Sequence, residues 1–151
     1  MALRNSPSSS AHGRILLVDD NVNGSNARKT VLQEFGHKVG VATSGLEALE
    51  LFAQQKFDVV VTDFRMPKMD GVELIGRLRK QSPDVLVILV SGFVDALGLS
   101  EATTGADAVI QKSANEVTHL VRAVNRLLRK NPPKKPASSD GRTARAKRQA
   151  T

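Results

Sequence analysis

The 151-residue sequence predicts an α/β fold in which helices cover both faces of a parallel sheet. Three observations predict it. Apolar segments begin near Ile15, Val39, Val59, Val85 and Ala108, about 20 to 27 residues apart, with helical patterns between them. Val85–Val90 has no polar alternation, as expected of a strand buried on both faces. Ser44 with Glu47, Asp70 with Glu73 and Ser113 with Glu116 each set a capping oxygen three residues before an acid, the pattern of a helix N-terminus.

The elements follow in order. Ile15-Leu16-Leu17-Val18 forms the first strand and stops at Asp19-Asp20, ahead of a helix near Ser25–Phe35. A strand from Val39 leads to the helix capped by Ser44. The third strand, Val59-Val60-Val61-Thr62-Asp63, ends in a lone carboxylate and opens the loop Phe64-Arg65-Met66-Pro67-Lys68-Met69-Asp70-Gly71. The fourth runs to Ser91. Asp95–Thr104 is the weakest helix, interrupted by Gly98 and closed by Thr103-Thr104-Gly105, and is expected to be short or mobile. Ala108-Val109-Ile110 precedes Lys112, and Ser113 is expected to cap the last helix. In that helix Val117, Leu120, Val121, Val124, Leu127 and Leu128 share one apolar face.

Composition narrows the function. A chain of this size buries about two-thirds of its unfolded surface and needs one core. With no cysteine, disulfides and thiolate metal sites are excluded, and His12, His37 and His119 lack zinc-ligand spacing. Val85–Val90 is far shorter than the ~20 residues of a membrane span, and Met1–Gly13 lacks a signal core, so a cytoplasmic protein is expected. The net charge of +7 is unevenly placed: residues 1–128 hold 14 basic and 14 acidic residues, and 129–151 hold eight basic residues and Asp140. A disordered segment over 1–13, a folded domain over 14–130 and a disordered basic tail over 131–151 are therefore expected. The tail is suited to weak, nonspecific polyanion binding.

Four strand ends thus carry Asp19, Asp20, Asp63, Ser91 and Lys112. In an open parallel sheet these ends lie along one edge, where ligands bind. Crowded carboxylates repel unless a hard cation neutralises them, and an all-oxygen set suits Mg²⁺ better than Zn²⁺. With such an ion a carboxylate can attack a phosphoryl group, while a lysine and a hydroxyl hold its oxygens.

The strand-end acid pair, the Asp-x-x-Met-Pro-x-Met-Asp-Gly segment from Asp63, the strand-end Ser91 and the late Lys112 stand in the order of a response-regulator receiver domain, which the chain resembles over Arg14–Lys130. The resemblance implies a flavodoxin-like, five-stranded sheet of order 2-1-3-4-5 flanked by five helices. It implies Asp63 as phosphoacceptor, with Asp20, Asp63 and the Arg65 backbone carbonyl as Mg²⁺ ligands and Asp19 acting through a metal-bound water. Ser91 and Lys112 would hold phosphoryl oxygens, and Arg65 and Phe93 would tune dephosphorylation. Two positions depart from the pattern: Val109 replaces the usual aromatic residue, and Ser113 replaces the proline after the lysine. A cis bond before a non-proline residue costs about 2.5 to 4 kcal/mol, so a trans Lys112-Ser113 peptide is expected.

The function expected is that of a single-domain response regulator, not an enzyme, phosphorylated by a histidine kinase or phosphotransfer protein. Its output would be a changed contact with a downstream protein, or dimerisation. An aspartyl-nucleophile phosphohydrolase is the alternative, although its usual second acid would fall at Arg65. A DNA-associated regulator acting through the tail is another.

Overall fold

The computed structural model describes residues 12–133. Five parallel strands are β1 (Arg14–Val18), β2 (Lys38–Ala42), β3 (Val59–Asp63), β4 (Leu86–Ser91) and β5 (Ala108–Gln111). Their spatial order is β2-β1-β3-β4-β5, the expected 2-1-3-4-5. The helices are α1 (Val22–Glu34), α2 (Gly45–Gln54), α3 (Gly71–Gln81), α4 (Val94–Leu97), α5 (Glu101–Thr104) and α6 (Glu116–Lys130). The expectations for residues 1–11 and for most of the basic tail fall outside the described residues.

Strand pleating divides the core in two. Ile15, Leu17, Val59, Val61, Ile88 and Val90 face one side, where Leu32 of α1 and the apolar stripe of α6 cover them. Leu16, Val18, Val60, Val87 and Leu89 face the other, against Ala48 of α2 and Leu74, Ile75 and Leu78 of α3. Every residue of β3 and β4 is buried, which explains the lack of polar alternation in the fourth strand. His37 is also part of the interior, its Nδ1 accepting a hydrogen bond from the Gly13 amide at 3.1 Å.

Two local expectations are corrected. Among the described residues six helices replace five, because Asp95–Thr104 breaks into two single turns. Gly98 ends the first in a left-handed conformation, and Ser100 caps the second through a reciprocal pairing with Thr103. Ser113 does not cap α6 either. That helix begins at Glu116 after Asn115, which makes no side-chain cap bond, and the Ser113 Oγ accepts instead from the Asn115 amide. Glu116 turns away from its own helix start to meet Arg28. The pairs at Ser44 and Asp70 keep the first half of the pattern, accepting from the amides of Glu47 and Glu73. Among the described residues there is no cis peptide, so Lys112-Ser113 is trans as expected.

Candidate functional site

The site is built where the parallel strands end. β1 delivers Asp19, and the next residue, Asp20, stays exposed at the mouth of the loop while Asp19 is buried. The neighbouring β3 delivers Asp63, also buried. The turn after β1 is held locally: Asp19 Oδ1 accepts from the Asn21 amide at 2.8 Å, and Asn21 caps α1 by accepting from the Gly24 amide. Carboxylate oxygens of Asp19, Asp20 and Asp63 lie within 4.8 Å of one another, close enough for one metal ion.

The loop after Asp63 folds back on itself. Gly71 donates to the Phe64 carbonyl at 2.7 Å, and the buried Met66 and Met69 pin the loop to the core, so Asp70 can cap α3. Lys68 takes a positive φ of 72°, part of the tight path around Pro67. Arg65 is exposed, shares a cleft with Asp20, and lays its guanidinium over the Phe93 ring at 4.7 Å.

Ser91 ends β4, next to β3 in the sheet. Its oxygen accepts from the Phe93 amide at 3.0 Å, and its carbonyl accepts from the Lys112 amide at 2.9 Å. Lys112 reaches across the sheet edge, with Nζ 3.1 Å from Asp63 Oδ2. The structure therefore gathers Asp19, Asp20, Asp63 and Lys112 directly and sets Ser91 on the adjacent strand tip. Val109, partly buried, packs against the α2/α3 side of the core.

Sequence reasoning missed two residues. Arg28, on α1, is only 3% exposed and donates from one nitrogen to Asp19 Oδ2 at 2.9 Å and Asp63 Oδ1 at 3.4 Å. Its Nε donates to Glu116 Oε2 at 2.6 Å. The available signal was a charge on a core-facing stripe, since Ser25, Arg28 and Leu32 are the buried positions of α1.

Electrostatics at Asp63 follow from this packing. Burial, then the adjacent Asp19, push its carboxyl from 3.8 up to about 7, against the opposing pull of Arg28 and Lys112. Burial acts to lower the Arg28 pKa, but the hydrogen bond to Glu116 and the charges of Asp63, Glu116 and Asp19 outweigh it and hold the guanidinium above its ordinary value. Because the folded Asp63 holds its proton more tightly than the unfolded chain does, ionising it costs stability as pH rises between about 4 and about 7. In chelator, Asp63→Asn should therefore gain thermal stability relative to the wild type as pH rises from 5 to 8. Melting curves check this, and a difference independent of pH would contradict it.

Comparisons with known proteins point to one kind of domain. The family model described as "Response regulator receiver domain" matches residues 15–125. The response regulator protein TrrA of Thermotoga maritima, solved in complex with Mg²⁺ and BeF, is 35% identical and superposes with a TM-score of 0.69, covering 76% of this chain and 98% of that one. A CheY-like receiver domain protein of Methanospirillum hungatei is 28% identical, with a TM-score of 0.72 and coverage of 80% and 96%. A response regulator receiver protein of Anaeromyxobacter is 38% identical over 86 residues, 56% of this chain and 36% of that protein. The chain spans less than half the length of the first curated relatives it matches.

Proposed function

The chain belongs to the response regulator receiver domain family, and from that premise we propose that Asp63 is the phosphoacceptor of a Mg²⁺-dependent signalling domain. The observation that carries the reading is the position of the Asp63 carboxylate, close to the oxygens of Asp19 and Asp20 on one side and 3.1 Å from the Lys112 ammonium on the other. Receiver domains are signalling modules of two-component systems, and the donor proposed here is a phosphohistidine of a histidine kinase or phosphotransfer protein.

The residues present fit Mg²⁺. The donor set is oxygen only, three carboxylates converge, and Asp20, whose carboxylate lies beside that of Asp63, also lines an open cleft with Arg65. Asp20, Asp63 and the Arg65 carbonyl would hold the ion directly, with Asp19 acting through a bound water. When bound, Mg²⁺ supplies charge neutralisation for the carboxylates and the phosphoryl oxygens. The chain's own groups do the rest. An Asp63 oxygen attacks phosphorus, the bond to the donor nitrogen breaks, and Lys112 pairs with a phosphoryl oxygen. The Ser91 hydroxyl, now accepting from Phe93, turns to donate to another oxygen.

Phosphorylation then shifts a pre-existing equilibrium as far as the phosphoryl group favours one state. The surface proposed to carry the output to a downstream protein or a second copy runs from Asp95 to Lys112 and along α6. Phe93 at its edge and Leu97 within it are each about half exposed. Among the described residues no helix is long and apolar enough to cross a membrane.

Stoichiometry tests the reading. With Mg²⁺ and acetyl phosphate, uptake should level off at one phosphoryl group per chain and vanish with chelator. Sustained turnover of an external phosphate ester would favour the phosphohydrolase instead.

A further inference from the structure

Arg28 stands out because no part of the proposed phosphoryl chemistry uses it. It occupies a core-facing position of α1 where an apolar side chain would pack at lower cost, since a buried guanidinium must recover its hydration from its partners. Here the partners come from three elements: Asp19 at the end of β1, Asp63 at the end of β3 and Glu116 at the start of α6.

We propose that Arg28 is a resident cation of the acid pocket that a divalent ion must displace from Asp63, and that Glu116 retains it when it is displaced. The inference rests on the reading of Asp19, Asp20 and Asp63 as the metal site. One Arg28 nitrogen spans Asp19 and Asp63, donating into lone pairs on two of the three carboxylates that a metal would draw on. A divalent ion beside Asp63 repels the guanidinium. The contacts are unequal, and this sets the direction of the response. The bond to Asp63, 3.4 Å, is the longest of the three, and the bond to Glu116, 2.6 Å, is the shortest.

The charge count agrees with the exchange. With all of them ionised, the clustered carboxylates of Asp19, Asp20 and Asp63 together with Glu116 outnumber Arg28 and Lys112 by two charges, and one divalent ion would restore balance. Glu116 leaves its own helix start uncapped by a side chain and sits 88 residues from Arg28 in sequence. Two consequences follow. Mg²⁺ affinity is held below what the three acids alone would provide. Occupancy of the pocket is also transmitted to the first turn of α6, a route that does not depend on an aromatic residue at Val109.

Calorimetric titration of the full chain with MgCl₂ at fixed ionic strength tests this, with folding checked by circular dichroism melts. Arg28→Met should bind Mg²⁺ about tenfold more tightly or better, as expected when a competing internal cation is removed. Glu116→Gln should bind it several-fold more weakly, because the amide oxygen can still accept from Arg28 Nε but the negative charge that would hold the guanidinium away from Asp63 is gone. That second effect should disappear in the Arg28→Met background, as a double-mutant cycle requires for residues acting through each other. Unchanged or weaker binding by Arg28→Met overturns the proposal, as does a Glu116→Gln effect of equal size in both backgrounds. Should Arg28→Met fail to melt cooperatively, Glu116→Gln alone decides: weaker binding supports the exchange, and unchanged or tighter binding overturns it. Asp20→Ala separates the two readings. If it leaves Mg²⁺ binding intact, the metal-site assignment fails; if it abolishes binding while Arg28→Met leaves affinity unchanged, only the role of Arg28 fails.

Discussion

Gly71→Ala is expected to destabilise the protein by about 3 kcal/mol, an unusually large cost for one added methyl group. A Cβ at Gly71 would lie 2.5 Å from the Asp63 carbonyl oxygen, 2.6 Å from Leu89 Cδ1 and 3.1 Å from the Phe64 Cα. Leu89 can rotate, but the Asp63 and Phe64 backbone is held between β4 and the start of α3 by the Phe64 bond to Val90 and the Gly71 bond to Phe64. The methyl can be admitted only by moving the strand end that presents the Asp63 side chain. Gly76, five residues on in the same helix, is the control. Nothing lies within 4 Å of a Cβ there, so Gly76→Ala should stabilise by about 0.5 to 1 kcal/mol through the reduced entropy of the unfolded chain. Urea denaturation of both variants checks the pair, and similar costs would mean that the close approach at Gly71 does not constrain the loop.

With Asp20 as the proposed direct ligand, Asp20→Ala should weaken Mg²⁺ binding by at least about 100-fold, since loss of such a ligand should cost no less than loss of the groups that support ligands. Lys112→Ala should change it little or strengthen it. Its ammonium pairs with Asp63 and is proposed to engage the phosphoryl group rather than the ion, and its side chain is 41% exposed, so removing it disturbs little packing. Asp20 makes a clean probe for the same reason: it is exposed and can be truncated without opening a cavity. Equal losses in the two variants would place the ion elsewhere.

The sheet and most of the candidate site were legible in the sequence because both depend on local patterns. The apolar runs at Ile15, Val59 and Val85 show where strands lie, and parallel pairing then brings Asp19, Asp63 and Ser91 to one edge whatever the details of the intervening helices. Arg28 was not legible. Its meaning depends on Asp63, 35 residues away, and on Glu116, 88 residues away. Glu116 was misread for the same reason. Three residues after Ser113 it resembles half of a capping box, but a buried guanidinium is the stronger partner for its carboxylate. The break at Gly98 was foreseen as a weakness but not as a division into two helices. That outcome depends on the reciprocal Ser100 and Thr103 pairing, in which threonine does the work usually given to an acid.

The central claim is that Asp63 accepts the phosphoryl group, and intact-mass spectrometry of the full chain after incubation with Mg²⁺ and acetyl phosphate tests it most directly. The wild type should gain one phosphoryl group that survives acid and is lost in mild base, as an acyl phosphate is, and Asp63→Asn, still folded by circular dichroism, should gain none. Incorporation that persists in Asp63→Asn, or a wild type that takes up no phosphoryl group from either acetyl phosphate or a cognate kinase, would contradict the account.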